Sequence, residues 1–552
     1  MPLPSTPKAR REGRREKLFP SFTRVEKVPL RCAQKVTTHL RLAEESLPGI
    51  LMRDSLCALI RAFRTPVSSE TRQLLQSAWE RLPEHLRTPH QFLGRQYAGC
   101  GATIGAMPRC DFACRGCYLG AEANSSPALS VEEIKEQLRR LRAWLGEGGN
   151  VQLTDGEVML RPETEVIALI RYARAIGLVP MLMTHGDRFR RRPELLARLM
   201  VEGGLTEVSL HIDTTQRGRR GQAYKQATRE EALLPLRDEF AELIRHARRE
   251  TDLTLDAATT FTVTRENLAG VSVVMNWLCR NADAFKMISF QPIAQVGRTE
   301  EGLGGSVTAD DVWARIAEGL SGDAAEGERR LQHKGWLGHP DCSRFVQGVV
   351  ICRPGRRPQF HPLFRSDDPQ DQAAIHGLMT RFGGLTFRLD TRWQAAARLA
   401  GVLTADPGFL LSTVLPFLLR WPRRGDSAQP LHLVWRWLWG TVSVHYLNIV
   451  SHHFMSPAEL TTPRGQERLT LCAFRVPVGD RMVSMCEVNA GGIRERYYAA
   501  LRAPRRPVEM MVAGGMSSVK GATHEGHTEE SDDVTDDLLN DLNRRVTQRA
   551  GE

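Results

Sequence analysis

Between Tyr97 and Pro292 short β-rich runs alternate with helical segments, and this alternation restricts the fold more than any other feature of the chain. The runs are Tyr97–Ile104, Val151–Thr154, Pro180–Thr184, Glu207–Asp213, Thr259–Thr264 and Lys286–Pro292. Apolar residues at helical spacing between them predict helices over Ile134–Leu145, Glu163–Ala175, Pro193–Val201, Glu230–Arg248 and Asn267–Asn281. The first of these is preceded by Ser130-Val-Glu-Glu133, a capping box in which serine and glutamate satisfy each other's free backbone amides. Strands joined in series by helical crossovers lie parallel, with right-handed connections. Spacing alone leaves both an open sheet and a curved partial barrel available.

In either closure, ligands bind at the carboxyl ends of the strands. The loop after the first run reads Pro108-Arg-Cys-Asp-Phe-Ala-Cys-Arg-Gly-Cys-Tyr118. Thiolates at Cys110, Cys114 and Cys117 can hold three corners of a cubane iron–sulfur cluster and leave the fourth iron open. A four-cysteine site is closed and suited to electron transfer, whereas an open iron can bind and polarise a substrate. Zinc is the competing reading, but zinc favours four ligands in paired Cys-x2-Cys units, and no second pair lies nearby. Other strand ends contribute Thr154-Asp-Gly-Glu157, Thr184-His-Gly-Asp187, Ser209, His211, Asp213, Thr262, Thr264 and Gln291. His185 and His211 read first as local hydrogen-bond partners.

The Cys-x3-Cys-x2-Cys triplet with Tyr118 beside its last cysteine resembles the signature of the radical S-adenosylmethionine (radical SAM) superfamily. Asp155-Gly-Glu-Val158 resembles that family's Gly-Gly-Glu-Pro segment, with Asp and Val as departures. Ser209-Leu-His-Ile-Asp213 and Ile288-Ser-Phe-Gln-Pro292 resemble its fourth and sixth strands. The resemblance spans Tyr97 to Arg298. It implies an α/β fold with a partial (β/α)6 TIM-type barrel, and a [4Fe–4S] cluster on Cys110, Cys114 and Cys117. It also implies S-adenosylmethionine chelated at the open iron. Asp155, Gly156 and Glu157 would line the methionine end, with Glu157 accepting from the ammonium. The backbone at Tyr118 would approach the adenine, and Ser209 and Asp213 would meet the ribose hydroxyls. The implied activity is reductive cleavage of the sulfonium to a 5′-deoxyadenosyl radical that abstracts hydrogen from a substrate. A one-electron donor such as a flavodoxin or ferredoxin is the implied partner.

Around the core (96–300) the sequence divides into a basic lead-in (1–30), a helical N-terminal region (31–95), a mixed, substrate-shaping C-terminal region (301–510) and an acidic tail (511–552). Hydrophobic content of 41% and charged content of 25% are those of a globular chain. The opening residues lack an apolar signal-peptide core, and eleven cysteines in such a chain point to a reducing, cytoplasmic setting rather than a disulfide framework. Cys342, Cys352, Cys472 and Cys486 are candidate ligands of a second iron–sulfur cluster, although their spacing matches no compact motif. His339 and Cys342 are candidates for a substrate site. The Trp- and Leu-rich stretch from Phe409 to Tyr446 is expected to be a buried helix, a wall of an apolar, lipid-like substrate site, or a peripheral membrane surface. The net charge of +11 leaves RNA or peptide modification as the alternative enzymatic reading, although nucleic acid is not the expected partner. A non-enzymatic iron–sulfur sensor or electron carrier is the alternative of another class.

Overall fold

The computed structural model describes residues 56–63, 67–300, 303, 307–425 and 429–503. The basic lead-in, the acidic tail and much of the expected helical N-terminal region lie outside them. Within that region Ser69–Glu80 is a helix whose N-cap, Ser68, accepts from the Thr71 amide.

All six expected strands form: β1 (Cys100–Ala102), β2 (Asn150–Leu153), β3 (Val179–Thr184), β4 (Glu207–His211), β5 (Asp256–Val263) and β6 (Phe285–Pro292). They pair in sequence order and in parallel. The helix after the cysteine loop, Val131–Leu145, starts with the expected capping box, with Glu133 accepting from the Ser130 amide at 2.7 Å. Period-two alternation divides each strand between two faces. Leu153, Leu182, Leu210, Phe261 and Phe290 meet Ile134, Ile170, Leu199, Phe240 and Val274 of the crossover helices in one apolar core. The opposite face carries Met183, Ser209, Thr260, Ser289 and Gln291, a polar lumen wall.

The chain beyond residue 301 adds strands to this same sheet. They are β7 (Gly335–Trp336), β8 (Ser343–Cys352), β9 (Gln359–Pro362), β10 (Ser443–His452), β11 (Phe474–Val478) and β12 (Arg481–Ser484). The order is β12-β11-β1-β2-β3-β4-β5-β6-β10-β8-β7, with β9 on β8. β10 lies parallel to β6 and β11 parallel to β1, so both edges of the six-stranded core are paired. Open edges invite pairing with other chains, and this segment covers them. The sheet curls until Leu337 packs on Leu471 and Ala473. No strand pairing joins β7 to β12 among the described residues, so the barrel stays open.

Where β1 ends, the Gln137 side chain takes the place of a neighbouring strand. It accepts from the Ile104 amide at 2.9 Å and donates to the Ile104 carbonyl at 2.8 Å. This fixes the point at which the chain leaves the sheet for the cysteine loop. No single described helix is long and apolar enough to cross a membrane.

Candidate functional site

The cysteine loop lies across the carboxyl ends of the strands and is gripped from four sides. After β2, the Gly156 and Glu157 amides donate to the Met107 and Arg109 carbonyls at 2.8 and 2.9 Å. After β4, the Thr215 and Arg217 carbonyls accept from Arg115 and Ala113 at 3.0 and 2.8 Å. After β6, the Arg298 amide donates to the Cys117 carbonyl at 3.0 Å. From β3, the His185 imidazole stacks on Phe112 with ring centroids 3.8 Å apart. The loop thus owes its shape to strand ends far apart in sequence.

All three thiols are free. Burial pushes the Cys114 thiol up to about 12, and the neighbouring Cys117 and Asp213 charges add to this. Burial likewise raises Cys110, with Glu157, Cys114 and Cys117 adding to it. Three half-buried sulfurs on one turn, close enough to feel one another's charge, fit the donor set of a cluster. Metal binding there must displace protons. Cys110, Asp111 and His185 also bring ligand atoms within 4.8 Å of one another, a grouping that could hold a single ion. The 2.8 Å hydrogen bond between His185 Nε2 and Asp111 already accounts for two of those atoms.

Glu157 follows β2 and faces the cysteine loop. Its buried carboxylate accepts from Thr184 Oγ1 at 2.7 Å, from the His185 amide at 2.9 Å and from the Met159 amide at 3.0 Å, and its charge reaches Cys110. Gly156 is required by contact: a Cβ there would lie 2.4 to 2.7 Å from the carbonyl oxygens of Arg109, Pro108 and Met107. Its missing side chain lets the strand-two loop press against the cysteine loop.

The placement of Asp155 corrects the sequence expectation. Its carboxylate turns away from the loop and pairs with Arg494, Tyr498 and the Gly105 amide in a fully buried cluster. Burial opposes both charges of the ion pair, and the facing carboxylate helps to hold the guanidinium protonated. Tyr118 joins the same cluster: its hydroxyl donates to the Asp155 carbonyl at 2.5 Å, and Arg494 lies 4.7 Å over its ring. The Tyr118 backbone is itself covered, since a Cβ on Gly297 would fall 2.3 Å from its carbonyl.

Asp213 also departs from expectation. Its oxygens already accept from His211 Nε2 at 2.6 Å, the Thr262 amide at 2.8 Å, the Thr215 amide at 2.8 Å and Thr215 Oγ1 at 2.6 Å. A carboxylate has about four acceptor sites, so none is left for a ribose hydroxyl. Burial opposes its ionisation, yet the His211 charge and these donors take it down to about 2. It orients His211, which is the local partner expected. Ser209 lies deeper on β4 and shares a 3.2 Å hydrogen bond with Thr260.

Sequence reading missed Arg219 and Arg494. Buried Arg219 donates to the His185 carbonyl at 2.6 Å, Asp187 at 2.9 Å and the His211 carbonyl at 3.0 Å, tying β3 to β4. Its guanidinium lies 5.0 Å over the Phe112 ring. Nothing local in the sequence marks either arginine.

Of the four further cysteines, three converge. Cys472 is pushed up to about 11 and Cys486 to about 12 by burial, with the other thiols, Cys342 among them, adding to it. Arg468 Nε donates to Cys342 Sγ at 3.2 Å. Cys352 is excluded because the ten residues of β8 separate it from Cys342, roughly 30 Å of extended chain. His339 is buried beside this group, and its Nε2 has no hydrogen-bond partner.

The Trp- and Leu-rich stretch is also displaced from the site. It forms two helices, Leu415–Gly425 and Pro430–Leu438, packed through Leu433 on Ile351 and Val442. Those residues lie where β10 begins, at the opposite end of the strands from the cysteine loop. This stretch therefore forms no wall beside the triplet. A cavity of about 370 Å³, lined by Tyr97, Glu207, Lys286, Arg388 and Tyr446 among others, also lies at that opposite end.

Residues 104–263 match the profile of the radical SAM superfamily. A curated relative, the 7,8-dihydro-6-hydroxymethylpterin dimethyltransferase of Methanocaldococcus jannaschii, is 27% identical over 231 residues. That match covers 41% of this chain and 43% of the relative, so the chain spans less than half the relative's length. Among solved structures, anSMEcpe with bound AdoMet is 16% identical over 40% of this chain and 58% of its own, with a TM-score of 0.29. SuiB of Streptococcus suis bound to S-adenosylmethionine is 13% identical over 37% of this chain and 42% of its own, with a TM-score of 0.26. The profile match spans the cysteine loop, the Glu157 segment and β2 to β5, and on that ground this part of the chain, residues 104–263, is a domain of the radical SAM superfamily.

Proposed function

We propose that the chain binds a [4Fe–4S] cluster through Cys110, Cys114 and Cys117, binds S-adenosylmethionine beside it, and catalyses hydrogen abstraction from a substrate held in the lumen. The observation that carries this reading is a loop of three free thiols, clamped by the ends of β2, β3, β4 and β6, with the buried Glu157 carboxylate within electrostatic reach. With the cluster bound, one-electron reduction of the sulfonium gives methionine and a 5′-deoxyadenosyl radical, a reactivity that no side chain supplies. Glu157 offers the acceptor for the amino group of the methionine moiety. The four protein donors on Asp213 leave His211, Ser209 and Thr262 as the polar groups available on that wall. Ser289 and Gln291 continue the same wall. This lumen suits a substrate that presents hydrogen-bonding groups around the reacting C–H bond. It gives less support to the fully apolar substrate expected from the Trp-rich stretch.

Three further assignments go with this reading. The donor of the electron is a small redox protein of the flavodoxin or ferredoxin kind. The compartment is the reducing cytoplasm, in keeping with the ten described cysteines, all free. Cys342, Cys472 and Cys486, with Arg468 beside them, hold a second iron–sulfur cluster. The relative's name raises methyl transfer as a second reading, in which S-adenosylmethionine is also the methyl donor.

The test is anaerobic reconstitution with iron, sulfide, dithionite and S-adenosylmethionine. Formation of 5′-deoxyadenosine, lost in Cys114→Ala, supports the proposal. Turnover retained in that variant refutes it. S-adenosylhomocysteine formed alongside 5′-deoxyadenosine favours the methyl-transfer reading.

A further inference from the structure

We infer that the helices Leu415–Gly425 and Pro430–Leu438 form a membrane-docking hairpin that lies in the interface of a bilayer carrying anionic headgroups. The inner face of the hairpin is anchored. Phe417 stacks on Phe364 with centroids 5.3 Å apart, and Leu433 packs against Ile351 and Val442. Arg420 donates to the buried carboxylate of Asp371 at 2.9 Å, and Arg424 donates to it at 2.6 and 2.7 Å. The same carboxylate accepts from the Arg365 amide at 2.8 Å. These ion pairs on a buried carboxylate fix the hairpin on the body of the protein.

The outer face is apolar and uncovered among the described residues. On the first helix, Leu418 and Leu419 are 47% and 64% exposed. On the second, Leu431, Trp435, Leu438 and Trp439 are between 59% and 83% exposed, and the Trp435 and Trp439 rings meet edge to face at 5.3 Å. Scattered exposed apolar residues need no explanation, whereas a continuous face of them does.

Length and charge choose the occupant. The first helix runs on from Pro407 through a π turn, Leu410–Val414, to Gly425, about 28 Å in all, and carries Arg420, Arg423 and Arg424, while the second, of 9 residues, is about 13 Å long. No single described helix is long and apolar enough to cross a hydrocarbon core of about 30 Å. A hairpin of this kind lies in the plane of the interface instead. Indole rings favour that depth, because they are apolar in body and polar at one edge. From Pro407 to Ala458 the sequence has four arginines, Arg420, Arg423, Arg424 and Arg436, against one acid, Asp426. Arg420 and Arg424 are neutralised by Asp371 and Asp368, so Arg423, exposed at the end of the first helix, and Arg436 on the second supply the excess charge. A leucine- and tryptophan-rich face flanked by arginine is complementary to acyl chains below an anionic headgroup layer.

The test is flotation of the full chain with vesicles of phosphatidylcholine, alone or mixed equally with phosphatidylglycerol. The unmodified protein should float with both and more strongly with the mixture, and its tryptophan emission should shift to the blue. Leu418→Gln/Trp435→Gln/Trp439→Gln should weaken binding by about tenfold or more, with circular dichroism unchanged. Arg423→Glu/Arg436→Glu should lose only the increment due to phosphatidylglycerol. Quenching of tryptophan emission by bromine-labelled lipid in the unmodified chain tests the contact without any substitution. Absence of flotation and quenching, or equal flotation of the triple variant, overturns the inference. So does a dimer in solution that the triple variant dissociates while vesicles remain unbound, since the face then belongs to a second copy of this chain.

Discussion

Replacing Arg494 by Met tests whether Asp155 is a structural charge or a cofactor ligand. Both side chains are buried, with exposures of 2% and 0%, and they meet as an ion pair between the loop after β2 and the helix Ile493–Arg502. Removing the arginine leaves a carboxylate in a closed site with only the Gly105 amide and the Tyr498 hydroxyl for partners. An uncompensated buried charge of this kind costs about 3–5 kcal/mol. Changing Asp155 to Asn as well removes that charge, so Asp155→Asn/Arg494→Met should be more stable than Arg494→Met alone, with a coupling of roughly 2–3 kcal/mol. Urea unfolding of the four proteins in the cycle, followed by tryptophan fluorescence, measures this coupling. S-adenosylmethionine affinity, measured in parallel, should be nearly the same for wild type and Asp155→Asn. Additive stabilities, or a tenfold loss of affinity in Asp155→Asn that the second substitution leaves in place, would falsify the assignment and return Asp155 to the cofactor.

Three other outcomes are expected. Glu157→Gln removes a charged acceptor worth about 1.5–3 kcal/mol, so S-adenosylmethionine affinity should fall roughly 10- to 100-fold while the iron content holds; equal affinity in equilibrium dialysis rules out the contact. Asp213, at about 2 in the folded chain against about 3.9 unfolded, contributes stability that is present above about pH 4 and is lost as pH falls towards 2. Asp213→Asn should lack that acid-dependent component, about 2.6 kcal/mol, and identical acid unfolding curves for the two proteins would contradict it. Cys342→Ala, Cys472→Ala and Cys486→Ala should each lower iron to the content of a single cluster, whereas Cys352→Ala should not; equal iron in all four variants disposes of the second site.

The sequence made the barrel legible because its signals are local. Ser130 and Glu133 sit three residues apart, and each strand's apolar alternation fits within a few residues, so the six strands and the capping box could be read directly. The cysteine triplet and Glu157 were legible for the same reason. What could not be read depends on contacts across hundreds of residues. Asp155 looked free until Arg494 was found beside it, and Asp213 looked available until Thr262 and Thr215 were found filling its lone pairs. The Trp-rich stretch carried a clear composition signal without an address, because the pairing of β10 on β6 decides to which end of the barrel it belongs.

The same pairing predicts that the six-stranded core will not fold as a fragment. A chain cut after residue 300 would lose β10 from the edge of β6 and β11 from the edge of β1. Leu447, Ile449, Val476 and Val478, each fully buried, would go with them, and at about 1.5–3 kcal/mol apiece they amount to roughly 6–12 kcal/mol. That is comparable with the whole stability of an ordinary domain, about 5–15 kcal/mol. The truncation would also leave Asp155 without Arg494 and expose two unpaired edges to other chains. Residues 96–300 expressed alone should therefore aggregate, and residues 57–503 should remain monodisperse under the same conditions in size-exclusion chromatography. A soluble, cooperatively unfolding 96–300 fragment would show that the later strands decorate the barrel rather than complete it.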